Sequence, residues 1–274
     1  MGTIKVIMLL GVLSGLLMAV GYLVARKTGV IIALVLSALM NLGSYWYSDT
    51  IVLKMYNAQP VTQSEAPALF RAVEALSAQA RIPMPRLYVV PSQAPNAFAT
   101  GRNEDHAAVA VTTGILKILD RDELQAVIAH ELSHIRHKDI LISTMAATVA
   151  GAIVMLSRWA VFFGNDDSSA VRVIAMAIVA PIAASIVQMA ISRSREYEAD
   201  AGSARITRQP LALASALEKL SGAARQRPLN ANPSTAHMFI VNPLSGGSIM
   251  DLFSTHPPVE KRIERLRAMS KSAL

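Results

Sequence analysis

Four apolar stretches set the limits of what this chain can fold into: Val6 to Ala25, Val30 to Trp46, Ile140 to Leu156 and Val173 to Ile191. Each holds about 17 to 20 residues, close to the length a helix needs to cross a hydrocarbon core roughly 30 Å thick. A chain that is 53% hydrophobic and only 16% charged has more apolar surface than an average soluble domain of 274 residues can bury. The stretches come in two pairs. Arg26-Lys27-Thr28-Gly29 leaves room only for a tight reversal between the first two, and the second helix ends at Tyr45-Trp46-Tyr47, the aromatic type found at membrane interfaces. The second pair turns through Gly164 to Ser169 and carries Arg158 and Arg172 at its ends, with Pro181 and Gln188 inside. That composition suits either two further spans or a buried hydrophobic hairpin of a soluble domain. A cleaved signal peptide fits residues 1–25 less well, because the next apolar helix follows at once.

The expected organisation is therefore a transmembrane hairpin over residues 1–47, the first part of a domain outside the membrane over 48–139, a second hairpin over 140–191 and the rest of that domain over 192–274. Two hairpins leave both parts of the domain on one side. Lys5, Lys54, Arg136, Lys138, Arg193, Arg195, Arg205 and Arg208 lie near helix ends on that side, against Arg26, Lys27, Arg158 and Arg172 on the other. The positive-inside rule then places the domain outside the membrane in the cytoplasm. The net charge of +7 follows from the same pattern and from attraction to anionic lipid; no basic-aromatic motif points to nucleic acid. With no cysteine, thiolate ligands and disulfides are excluded, which agrees with a reducing compartment.

Between the hairpins, residues 66–80 place Leu69, Phe70, Val73, Leu76 and Ala80 at helical spacing, stopped by Pro83 and Pro85. Leu87 to Val90 and Ala107 to Thr112 read as buried strands separated by the turn-rich run PSQAPNAFATGRNED. Asp120 or Asp122 can cap the helix that follows. No breaker is evident between that helix and the third apolar stretch, so it is expected to run straight into the membrane.

That helix carries His130-Glu131-Leu132-Ser133-His134. Two histidines four residues apart lie one above the other on one helix face, and Glu131, about 100° further round, can reach a water held between them. This is the layout of a zinc peptidase. A catalytic zinc takes three protein ligands and keeps one position open, so a third ligand is required. The chain leaves the last apolar stretch at Ile191, and Glu196 follows about 7.5 Å further along a helix, with Glu198 as the rival. Asp200, one turn later, can orient a ligand histidine through its second ring nitrogen, or simply pair with Arg195 or another neighbour. Glu131 is expected to act as general base toward a zinc-activated water. His106 and His137 read as surface residues. His256, ahead of Pro257-Pro258, fits a structural role at a helix start and an oxyanion-stabilising role equally well. His237 lies in an apolar strip and receives no role.

Taken together, Pro95-Asn96-Ala97-Phe98-Ala99-Thr100-Gly101, Ala129 to His134, Ser192 to Ala204 and Thr255-His256-Pro257-Pro258 with Lys261-Arg262-Ile263 resemble the membrane-bound zinc metallopeptidases of the M48 class. The resemblance covers essentially the whole chain. It implies a mainly α fold with a small β-sheet, that is, an α+β zincin-like catalytic domain on four transmembrane helices, in a bacterial inner membrane. It also implies one zinc ion per chain on His130, His134 and Glu196, supported by Asp200. The substrates it implies are polypeptides: damaged or misfolded membrane proteins, cut in unfolded or juxtamembrane segments. By the same resemblance Asn96 to Gly101 lies beside the cleft and Ala107 to Thr112 is the edge strand that holds substrate backbone. The rival readings are a zinc-binding membrane scaffold without turnover, against which Glu131 speaks, and a hydrolase of small non-peptide amides.

Overall fold

The computed structural model describes residues 2–145, 193–226, 239–241 and 257–272. Most of the second apolar pair, and with it the question of whether that pair spans, lies outside the described residues, as do His237 and His256.

Helix α1 covers Gly2–Met55 but is not one rod. A straight helix would hold Ser14 and Asn41 about 40 Å apart, yet Asn41 Nδ2 donates to Ser14 Oγ at 3.0 Å. The chain reverses at Arg26, which takes a left-handed φ of 48°, so the first two apolar stretches form the expected hairpin. Among the described residues one segment, Arg26–Tyr47, is long and apolar enough to cross a membrane. Ile31, Leu34, Val35, Leu39, Leu42 and Trp46 in it are all exposed. Past Tyr47 the helix continues to Met55 and changes character: Val52 and Leu53 are buried against Val90, Phe98, Ala108 and Ala110.

Those last four residues belong to a small mixed sheet of β1 (Gln59–Pro60), β2 (Arg86–Val90), β3 (Ala97–Gly101) and β4 (Ala107–Thr112), in the order β1-β2-β4-β3. β2 and β4 are parallel; the other pairs are antiparallel. Strand alternation divides β4 between two layers. Ala108 and Ala110 face the end of α1, whereas Ala107, Val109 and Val111 join the main core of helices. Both faces of β4 are covered, which is why its sequence is an unbroken apolar run.

Two sequence expectations are corrected here. Ala107 to Thr112 is not the edge strand but lies between β2 and β3. The edges are β1 and β3, and β3 has the small residues and flanking Pro, Asn and Gly that read as turn from the sequence. Gly101 makes that hairpin possible: its φ of +144° and the His106 carbonyl, 2.4 Å from where a Cβ would sit, exclude any side chain.

The main core is completed by α2 (Pro67–Ala80), the short α3 (Ile115–Ile118), α4 (Arg121–Arg136), α5 (Arg193–Thr207), α6 (Pro210–Gln226) and α7 (Val259–Lys271). α2 buries the predicted stripe of Leu69, Val73, Leu76 and Ala80 and stops at Arg81 in the left-handed conformation. α4 begins with a capping box: Asp120 Oδ1 accepts from Glu123 N at 3.0 Å, and Glu123 Oε2 accepts from Asp120 N at 2.9 Å. Ser215 Oγ and Lys219 Nζ of α6 also donate to the Glu123 carboxylate, at 2.6 and 2.7 Å, so the start of α4 is pinned to its neighbour.

The other end of α4 supplies the second correction. The helix does not run on unbroken into the third apolar stretch; it stops at Arg136. Lys138 takes φ 60°, its N–H bonds to the Ile135 carbonyl at 3.0 Å, and the Asp139 N–H reaches back to the His134 carbonyl at 2.9 Å. This pair of bonds is a Schellman closure built on a lysine instead of a glycine. A new helix starts at Ile140, and the break leaves Asp139 beside the site.

Candidate metal centre

α5 crosses α4 at close range because the contact is made of small groups. A Cβ on Gly202 would sit 2.2 Å from Ser133 Oγ and 2.8 Å from Ser133 Cβ, so only glycine fits there. One residue on, Ser203 Oγ donates to the Ala126 carbonyl at 2.6 Å. The crossing brings Glu196, in the first turn of α5, over the two histidines of α4.

The three side chains meet at their tips. His130 Nε2 and His134 Nε2 are 3.2 Å apart, and the Glu196 carboxylate lies 3.7 Å from the first and 3.5 Å from the second. His130 and Glu196 are buried, with 1% and 4% exposure, and Glu198, the rival ligand, points to solvent.

The remaining nitrogens are spoken for in a matched way. His130 Nδ1 lies 3.1 Å from Asp200 Oδ1, close in distance although the ring is not turned for a full hydrogen bond. Asp200 in turn accepts from Arg262 of α7 twice, from Nε at 2.9 Å and Nη2 at 2.7 Å. His134 Nδ1 lies 3.4 Å from Asp139 Oδ2, and Asp139 is ion-paired with Arg195. Each imidazole therefore faces an acid that is held by an arginine. A carboxylate at Nδ1 keeps the proton there, which leaves the Nε2 lone pair free. Two such lone pairs and a carboxylate aimed at one point have no proton to share, so a cation is what would relieve them. The edge of a tetrahedron with zinc–nitrogen bonds is about 3.3 Å, close to the separations found, and the donor set fits a divalent metal.

Electrostatics agree with this wiring. Burial drives the Asp200 carboxyl upward, but Arg262 and His130 more than offset it and bring it to about 2. Arg262, with no exposed surface, is disfavoured by burial and more than restored by Asp200. Its Nη1 also donates to the Ile240 carbonyl at 2.9 Å, and the Ile240 N–H donates to Asn96 Oδ1 at 3.1 Å. Asn96, from the segment expected beside the cleft, thus ties residues 239–241 to β3.

Glu131 stands apart from the three ligand atoms. Its Oε2 accepts from the Ala99 N–H of β3 at 2.9 Å. Burial pushes its carboxyl above the ordinary range, against the pull of the two histidines and that amide.

Of the residues singled out from the sequence, His130, Glu131, His134, Glu196 and Asp200 are thus brought together, while His106 and His137 are exposed. Arg262, Asp139, Arg195 and Ala99 were not assigned roles at the site. Asp200 faces His130 and pairs with an arginine, but the arginine is Arg262, not Arg195.

Three protein donors on crossing helices, with a separate buried carboxylate against a sheet edge, define a metallopeptidase-type centre instead of a closed four-ligand structural clip. The description "Peptidase family M48" matches residues 63–270, and the chain belongs to that family. It is 53% identical to a Protease HtpX homolog of Desulforapulum autotrophicum, over 98% of this chain and 90% of that one. It is 55% identical to the Protease HtpX homolog of Pyrococcus furiosus, over 96% and 94%. The fold is also similar to the crystal structure of S. mikatae Ste24p, with a TM-score of 0.50 and 18% identity; the match covers 96% of this chain and 65% of that one.

Proposed function

We propose that the chain is a zinc-dependent endopeptidase of the inner membrane that cuts misfolded or damaged membrane proteins, with His130, His134 and Glu196 as ligands of one zinc ion. The observation that carries this is the meeting of the three donor atoms, whose separations of 3.2, 3.5 and 3.7 Å suit one tetrahedral ion. When bound, zinc supplies a Lewis acid that polarises the scissile carbonyl. The rest falls to the chain. Glu131 accepts a proton from the attacking water as its oxygen bonds to the carbonyl carbon, then gives that proton to the departing amine nitrogen as the C–N bond breaks. Asp200 and Asp139 keep the two imidazoles turned toward the ion. His256 is retained as the candidate for stabilising the oxyanion; a kcat loss with unchanged KM in His256→Gln separates that role from a structural one. Four membrane helices in two hairpins carry the two-part catalytic domain, with its site facing the cytoplasm. The family and the relatives' names support the peptidase activity, and the apolar hairpin supports the membrane setting.

The test is zinc content and casein cleavage in detergent for the wild type and Glu131→Gln side by side. Stoichiometric zinc in both with cleavage only in the wild type is the expected result. Zinc in both with cleavage in neither moves the reading to a non-catalytic membrane scaffold, and no zinc in either sinks the ligand assignment.

A further inference from the structure

We propose, on the basis of the membrane-peptidase reading above, that β3 stands upright on the bilayer and sets the cleavage position, so that a membrane protein's tail is cut about three to six residues beyond the end of its span.

The orientation of β3 follows from two contacts at its ends. Arg102, just past the strand, lies over the Trp46 ring with its Cζ 4.8 Å from the centroid. Phe98, near the strand's start, meets the Tyr56 ring at 5.0 Å. Between Trp46 and Tyr56 the helix advances about 15 Å, and between Phe98 and Arg102 the strand advances about 13 Å. Equal lengths in contact at both ends require the two axes to lie side by side, running in opposite directions. The packing of Val52 and Leu53 against Phe98 between those ends agrees. β3 thus lies along the axis of the Arg26–Tyr47 span, in the opposite sense, and spans tilt on average only about 20° from the membrane normal.

The lower end of the strand is marked independently. Trp46 is exposed and flanked by Tyr45 and Tyr47, the amphipathic rings that settle at headgroup level. Thr144, on the helix that opens the third apolar stretch, accepts from the Gly101 N–H at 3.3 Å and lies 3.0 Å from the Thr100 hydroxyl. Asp105, in the hairpin beyond Gly101, is an exposed charge, and with the half-buried Glu104 beside it that turn does not enter hydrocarbon. Gly101 and Arg102 therefore rest at the interface and Ala97 lies furthest from it.

On the side away from β4, β3 has no strand partner among the described residues. Its alternate amides there, Ala99 and Gly101, are bonded to the side chains of Glu131 and Thr144. An added strand would take these two donors over from Glu131 and Thr144. Ala99 marks the level of the general base, three residues or about 10 Å above Arg102. An extended substrate leaving the bilayer covers that height in about three residues, and the headgroup layer adds a few more. Because β3 runs down toward the bilayer, the more stable antiparallel pairing takes a chain running outward, that is, the tail following a membrane span.

The test reconstitutes the full-length zinc-loaded protein in liposomes with a model substrate. The substrate carries one membrane span followed by a 30-residue tail of a repeated neutral unit, so that every tail position is chemically alike. Cut sites are mapped by mass spectrometry, alongside the same tail as a soluble peptide. The expected result is cuts confined to the first three to six tail residues, moving with the end of the span when it is shifted by five residues, and scattered cuts in the soluble peptide. In Trp46→Ser and Arg102→Ser the window should broaden while soluble-peptide cleavage persists. Cuts spread evenly along the anchored tail would overturn the proposal. Cleavage of neither substrate would overturn the peptidase reading, and this one with it.

Discussion

Asp200 and Arg262 lie 62 residues apart in the chain and are joined by two hydrogen bonds of 2.9 and 2.7 Å in a place that excludes water from both. The pair connects α5, which brings Glu196 to the site, with α7, and its outer side faces His130. Removing the arginine strands a buried carboxylate, and breaking such a pair costs about 3–5 kcal/mol. Arg262→Met should therefore lower the melting temperature and release zinc. Arg262→Lys should recover only part of both, since an ammonium cannot make the two-pronged contact. Differential scanning and zinc content of the purified protein decide it; a wild-type melting temperature in Arg262→Met would contradict the role.

The same pair predicts a pH dependence in chelator-treated protein. The folded Asp200 carboxyl lies at about 2, below its ordinary 3.8, so folding favours the ionised form. Its contribution is fully present above about pH 4 and is lost as pH falls toward 2, roughly 2 kcal/mol in all. This is the same interaction that Arg262→Met removes, not an additional one. Melting temperature against pH should fall in that window for the wild type and stay flatter, and lower, for Asp200→Asn. Parallel curves would count against the assignment.

Asp139 and Arg195 give His134 the support that Asp200 and Arg262 give His130. Loss of a carboxylate behind a metal-bound histidine typically weakens binding 10- to 100-fold. Asp139→Asn should show that loss in a zinc-chelator competition titration while the fold, followed by circular dichroism, is retained. Unchanged affinity would leave Asp139 with only its place in the turn.

At Gly202 the prediction is steric. Gly202→Ala places a methyl 2.2 Å from Ser133 Oγ, so α5 must move off α4 and carry Glu196 with it. Zinc affinity should drop, and Ser133→Gly in the same chain should restore part of it, because neighbouring substitutions couple. Additive losses in the double variant would place the effect elsewhere.

Much of this site could be read along one helix or one segment. His130, Glu131 and His134 have their relation set by the 3.6-residue repeat, and Glu196 and Asp200 share a helix face for the same reason. Even the cap of α4 is local, since Asp120 and Glu123 are three residues apart. The break at Lys138 was not legible: a left-handed lysine carries no glycine signal, and what accompanies it is Asp139 pairing with Arg195, 56 residues away. β3 escaped for a related reason. Its small residues have little strand preference, and the parallel pairing of β2 with β4 that leaves it at the edge joins segments about 20 residues apart.

By itself, then, the sequence determined the first apolar hairpin, the helices that carry the Leu69 stripe, the two histidines and Glu196, and the chemistry of the ligand set, because hydrophobic periodicity, capping and imidazole spacing act over a few residues. Only the tertiary structure decided which strand is the edge, where α4 stops, and which arginine faces which acid. Those depend on burial: a charge partner or a strand neighbour is selected by which groups lose water together, and distant segments come together only when the whole core forms.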